Sequence, residues 1–232
     1  MLWRNPFRGL TKFEWALWLI SVWAVTLSSL VRFDVANLAV SLLGVTSLIF
    51  VARGDVFGQF ITVAFSLLYG VISLFSHYYG ETIIYFCMQA PIAVLTIVTW
   101  LRHSHKAGGE EVEVRSLPPR AIPLLVLATA AVTGGFFFLL RALGTENLAV
   151  STISVATSFG ALSLLVLRSP YYAVVFALND VVLIVLWTLE VVRDIAFLPM
   201  VVCFVMFLCN DIYGFCNWIR IRRRQALEKA AG

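Results

Sequence analysis

The sequence predicts an all-α integral membrane protein with eight transmembrane helices: one N-terminal helix, then a core of three, one and three. Three observations predict it. Of the residues, 61% are hydrophobic and only 13% charged, with a mean hydropathy of +0.92, so the chain has too little polar surface to enclose a soluble core. The apolar residues fall in eight runs, each near the roughly 20 residues a helix needs to cross hydrocarbon. The pentapeptide NLAVS occurs twice, at 37–41 and 147–151, each time heading an apolar run that two further runs follow.

The runs lie at about 14–31, 35–52, 56–76, 82–101, 121–141, 148–167, 171–192 and 195–219. The first is long and lacks a small-residue cleavage site after it, so it reads as a retained span rather than a removable signal. Each NLAVS run ends at an arginine, Arg53 or Arg168, and each set of three closes alike, on Trp100-Leu101-Arg102 and Trp218-Ile219-Arg220. Three crossings leave the chain on the opposite face, so a second copy in parallel orientation needs an odd number of linking spans. The fifth run supplies that linker. The organisation is then an N-terminal segment and extra helix (1–34), a first repeat (35–101), a loop (102–120), a linker helix (121–146), a second repeat (147–219) and a basic tail (220–232). Sugar carriers of the SWEET type have such a core of parallel repeats. Asn37 and Asn147 read as helix N-caps.

Lys and Arg set the orientation. With both termini cytoplasmic, the inner segments hold 14 basic residues, including Arg4, Lys106 and the cluster Arg220 to Arg224, and the outer loops hold only Arg32, Arg141 and Arg193. That imbalance makes the basic tail a topogenic anchor rather than a nucleic-acid site, despite a net charge of +4 and a pI near 9.0.

Several classes of chemistry find no support. The longest loop, RHSHKAGGEEVEVRSLPPR, has 19 residues and no GxxxxGK[ST] pattern, so ATP is not the energy source within this chain. His103 and His105 on that flexible loop read as solvated rather than as metal ligands. Cys87, Cys203, Cys209 and Cys216 lie in apolar stretches and read as small buried hydrophobes. There is no HExxH, nucleophile elbow or sequestered pair of catalytic carboxylates, so no enzyme and no cofactor is expected.

What remains is polarity inside the spans, which is costly in lipid and marks a cavity, a pathway or a helix contact. The seventh run carries Asn179 and Asp180 near its middle and Trp187 two turns on; the eighth places Asn210, Tyr213 and Asn217 on one face, with Asp211 beside them. Tyr85 and Gln89 precede Pro91, which should kink the fourth run and free a carbonyl, and Ser66, Tyr69 and Ser73 share a face of the third. Trp100, Trp218 and the pair Tyr78-Tyr79 sit at span ends and read as interfacial belts. Amides, aromatic faces and two acids, with no Lys or Arg at membrane depth, suit a neutral or cationic polyol with a flat ring and disfavour a phosphate.

The stretches YYGETIIYFCMQAPIAVLTIVTWLR, FALNDVVLIVLW and LPMVVCFVMFLCNDIYGFCNW resemble the nicotinamide riboside transporter family, often called PnuC, over roughly residues 35–224. The resemblance implies a seven-helix 3+1+3 core with an extra N-terminal helix, in a bacterial cytoplasmic (inner) membrane. It implies facilitated diffusion of a nucleoside-like vitamin precursor, made one-way by a cytoplasmic kinase that phosphorylates it, and it allows a homo-oligomer, a trimer. The family's NxxY motif corresponds to Asn210 and Tyr213, and its polar Asn of the preceding helix to Asn179. Members associated with nicotinamide riboside show WxxW seven residues before that Asn, where this chain has Tyr172 and Val175. Relatives altered there are assigned to other nucleosides or thiamine.

The expected ligand contacts are Asn179 and Gln89 for ribose-type hydroxyls, Asn210 for the amide or base edge, and Tyr213 with Tyr172 or Trp187 for the ring, with Tyr69, Asp180 and Asp211 nearby. A membrane scaffold or sensor that moves nothing is the competing reading, but it has no need for polar groups at matching depth in both repeats. No ring of like charge or glycine-rich filter suggests a channel. Asp180 and Asp211 keep proton coupling open as an alternative to passive equilibration.

Overall fold

The structure, a computed structural model, describes residues 6–31, 33–75, 79–105, 111–145 and 147–231. Arg4, Arg32, Lys106 and Tyr78, and the side chain of Tyr79, lie outside the described residues.

Among the described residues, seven helices are long and apolar enough to cross a membrane: Val35–Ala52, Val56–Phe75, Gly80–Arg102, Ala121–Ala142, Leu148–Val166, Tyr172–Arg193 and Leu198–Ala230. The expected first span appears as α1 (Lys12–Ser28), which Thr11 and Glu14 start through a reciprocal capping box. At 17 residues it spans about 26 Å, short of the ~30 Å hydrocarbon core. Its outward residues Phe13, Leu19, Ile20 and Trp23 are nonetheless exposed apolar groups.

Helices α2 (Val35–Ala52) and α3 (Val56–Phe75) meet at a tight turn. The next span is broken into α4 (Tyr79–Ile83), a π-helical segment (Ile84–Gln89) and α5 (Ala90–Arg102). Pro91 explains the break: it has no N–H to donate, and its ring crowds the carbonyl one turn back, so the preceding turn widens and the Ala90 amide reaches Tyr85 instead. Then come α6 (Ala121–Ala142), α7 (Leu148–Val166), α8 (Tyr172–Arg193) and α9 (Leu198–Ala231). The expected boundary at 219 is not a helix end, because α9 runs on through the basic tail as one 34-residue helix.

Packing is reciprocal. α2 packs on α3 and α3 on α5; α7 packs on α8 and α8 on α9; the sets are joined by α2 against α9 and by α5 against α7. α1 lies on α2 and α9, and α6 leans chiefly on α7.

Three expectations are corrected here. Asp34, not Asn37, caps α2, accepting from the amides of Ala36 and Asn37. Asn147 stands at the cap position of α7 in the left-handed region (φ 54°), where its side chain cannot cap and instead donates to Glu190 at 3.1 Å. Trp100 and Trp218 do not form belts: they are 1% and 0% exposed. Their indoles cross to the opposite set, Trp100 Nε1 donating to Leu165 O (3.2 Å) and Trp218 Nε1 to Val51 O (3.0 Å). A buried indole N–H needs an acceptor, and each of these helix-end carbonyls, which already takes a turn amide (Arg168 N on Leu165 O, Gly54 N on Val51 O), supplies its second lone pair. Cys203 is buried as expected, while Cys87, Cys209 and Cys216 are exposed on the apolar exterior.

The loop read as flexible is folded between Glu111 and Arg115. Val112 is buried against Trp100, Trp218 and Ile221, and its amide bonds Gly54 O at 2.9 Å. The Gln225 side chain accepts from Val114 N and donates to Val112 O. Arg168 reaches Glu113, as does Lys229; Arg224 reaches Glu111, and His105 contacts Glu228 at 2.9 Å. The strict alternation Val112-Glu113-Val114-Arg115 was the legible sign of an extended segment with one buried face.

Candidate functional site

Between the two sets of three lies a chamber of about 140 Å³, lined from α2, α3, the broken span, α7, α8 and α9. It brings together six of the expected residues: Tyr69, Gln89, Asn179, Asp180, Trp187 and Asp211. The break before Pro91 does the positioning on one side, since the π segment carries Tyr85 and Gln89 to the wall. Tyr85 stacks on Tyr69 with ring centroids 4.4 Å apart, and both meet Phe65. On the other side Asn179 Oδ1 accepts from Thr157 (2.7 Å) and Ser154 (3.1 Å), which leaves its NH₂ as the group free to meet a ligand. The Asp180 and Asp211 carboxyls are hydrogen-bonded to each other.

The other three expected residues do not line this chamber. Asn210 donates to Met206 O (2.8 Å) and Ser21 Oγ (3.3 Å), joining α9 to α1. Tyr213 donates to Glu14 Oε1 at 2.7 Å, and Glu14 also pairs with Arg53, so the face expected to hold a ligand holds α1. Tyr172 is buried against Trp218 with its hydroxyl toward Val51 O, and Asn217 donates to Ala52 O. These two cap the end of α2. Helical spacing put Asn210, Tyr213 and Asn217 on one face correctly, but not what that face meets.

Gln59 and Glu81 are among the lining residues that were missed. Gln59 continues the Ser66, Tyr69 and Ser73 face one heptad earlier, a spacing visible in the sequence. Glu81 sat at the edge of a short loop, where an acid attracts no notice, yet it lines the chamber and accepts from Tyr69 Oη at 2.6 Å. Gln59 Nε2 and Asp180 Oδ2 are buried without a hydrogen-bond partner among the described residues. A donor and an acceptor left unmade in one cavity match a group that both accepts and donates, such as a hydroxyl.

A second chamber of about 400 Å³ adjoins the first and shares Glu81, Ile84, Ser154, Leu183 and Trp187 with it. It extends to the exposed turn at Leu143 and Gly144 and to Glu190, at the end of the bundle opposite the basic tail. Among the described residues neither chamber is lined by Lys or Arg.

A family described as nicotinamide mononucleotide transporter matches residues 34–220. The nicotinamide riboside transporter PnuC of Neisseria mucosa is 26% identical over 229 residues, covering 96% of this chain and 87% of that one. The same-named protein of Haemophilus influenzae is 22% identical over 185 residues, covering 78% and 77%. A crystal structure of the vitamin B3 transporter PnuC superposes with a TM-score of 0.78 at 24% identity, covering 94% of each chain, which establishes the fold. With seven candidate spans and a family match over most of its length, the chain is a multi-pass membrane protein that belongs to the nicotinamide mononucleotide transporter family.

Proposed function

We propose that the chain carries nicotinamide riboside, rather than the mononucleotide, down its gradient and that a cytoplasmic kinase then traps it by phosphorylation. The carrying observation is the chamber wall: Glu81, Asp180 and Asp211, no Lys or Arg among the described residues, and one unmade donor and one unmade acceptor. A phosphate would meet carboxyls with no compensating cation, whereas a ribosyl hydroxyl fits the unmade pair and the flat cationic ring fits Tyr85 and Trp187. Gln59, Tyr69, Gln89, Asn179, Asp180, Trp187 and Asp211 are the proposed ligand contacts; Asn210, Tyr213 and Tyr172 hold the helices that frame them. The names of the two PnuC relatives point the same way.

The reciprocal packing of α2 on α9 and α5 on α7 supports a parallel repeat of the SWEET type, in which one set rocks against the other about the chamber. The crossed Trp100 and Trp218 bonds support it too. On this reading α1 is an eighth, short span, both termini are cytoplasmic, and the outer chamber faces the exterior. Purified protein in sealed liposomes should equilibrate nicotinamide riboside without ATP and ignore the mononucleotide; transport of the mononucleotide at a comparable rate sinks the reading, and accumulation driven by an imposed pH gradient replaces passive diffusion with proton coupling. Thiamine is the second reading, since its thiazolium also suits the acids and the WxxW pair is Tyr172 and Val175 here. Competition between the two compounds decides.

A further inference from the structure

We propose that Glu81 selects for positive charge at the passage between the two chambers, so that a monocationic, flat-ringed riboside is taken in preference to a neutral one of the same shape. The inference rests on the riboside reading above and names what that reading leaves open, the residue that recognises the charge.

Among the described residues, Glu81 is the one carboxyl that lines both chambers. The acids are graded along the route. Glu190, in the outer chamber, is already met by Arg193 at 3.6 Å and by Asn147. Asp180 and Asp211, in the inner chamber, are bonded to each other. Glu81 lies between them and accepts from the neutral hydroxyl of Tyr69, with no Lys or Arg lining either chamber among the described residues. A cation leaving the outer chamber sheds water, and a carboxylate held at the shared wall replaces that water without having to reorganise.

Size strengthens the placement. The inner chamber, about 140 Å³, is smaller than the roughly 300–1,000 Å³ typical of small-molecule sites, while the outer, about 400 Å³, falls within that range. A riboside seated on Gln59 and Asp180 must therefore extend across the shared wall, where Glu81 and the Trp187 ring stand. Asp180 Oδ2, on a residue only 3% exposed and without a partner among the described residues, independently marks the inner end of that path as a ligand position.

The test compares nicotinamide riboside, a cation, with its reduced dihydro form, which is neutral and differs by one hydride. Full-length protein in liposomes should take up the cation with at least about tenfold better apparent affinity than the neutral form. Glu81→Gln should weaken the cation by about 10- to 150-fold, the range for losing a charge-assisted bond, shift the neutral form less than about threefold, and so erase the preference. A Glu81→Gln protein that keeps the wild-type preference overturns the proposal, as does a preference lost in Asp180→Asn but not in Glu81→Gln. If Glu81→Gln fails to fold, Glu81→Asp, which keeps the charge, should keep the preference at lower affinity, and its loss there overturns the proposal. Wild-type uptake of both forms equally overturns the role of Glu81 and leaves the riboside reading standing; uptake of neither sinks that reading instead.

Discussion

The two ends of the bundle are built on opposite terms. At the end that carries the basic tail, most polar groups are paired to one another: indoles with last-turn carbonyls, Gln225 with the Val112 and Val114 backbone, Arg168 with Glu113, with the Ser169 hydroxyl the exception among the described residues. In the chambers, polar groups are left for something else, with Gln59 Nε2 and Asp180 Oδ2 unmade and carboxyls lining both. The difference teaches where free energy is stored. Satisfied buried groups stabilise one conformation; unsatisfied ones destabilise it and reserve that energy for a ligand.

Substitution should separate the two ends. The largest effect on stability is expected at Trp218→Ala, which empties a fully buried site and removes the indole bond to Val51 O; it should cost about 3–5 kcal/mol in thermal or denaturant unfolding in detergent. An unchanged midpoint would deny that the closed end holds the fold. In the chamber, Asn179→Ala should lower ligand affinity by about 5- to 150-fold, read by ligand-induced thermal stabilisation, because one buried partner is removed. Gln59→Leu should weaken binding similarly yet leave the unliganded protein as stable or more so, since an unmade buried donor disappears with it. If it destabilises instead, Gln59 has a structural partner and the contrast between the ends fails there.

Smaller effects sharpen the closed end. Gly54 has φ +70°, and a Cβ there would stand 3.2 Å from Val112, so Gly54→Ala should cost about 1–2 kcal/mol and loosen the 111–115 segment to proteolysis. Glu113 gives the smallest. The Lys229 hydrogen bond, helped by Arg168, holds its carboxyl below the usual glutamate range. Its folded value thus lies below its unfolded value, so its stabilisation is present above about pH 4.3 and is lost as the pH falls through the folded value. Wild type should exceed Glu113→Gln in melting temperature by a degree or so at neutral pH, on the order of a half-exposed ion pair, and the gap should close in acid. A constant gap would mean the carboxyl acts through packing rather than charge.

Much of this was legible without coordinates, and for a simple reason: hydrocarbon admits few structures. Span positions, the acids and amides at membrane depth, and the break at Pro91 follow from hydropathy and from the missing proline amide, which are properties of single segments. Partnership is not such a property. Asn210 and Asn179 look alike in sequence, each a polar residue in the middle of an apolar run, yet one turns its NH₂ to Met206 and Ser21 while the other faces the chamber. Trp100 and Trp218 look like belt residues until the opposite set brings Leu165 O and Val51 O to them. Glu81 looks like a loop acid until α3 brings Tyr69 beside it. Local sequence determined which groups had to be satisfied or left unmade inside the membrane; only the packing of α2, α3 and the broken span against α7, α8 and α9 decided which of them meet each other, because a buried group's partner is set by the helix across from it and not by its own.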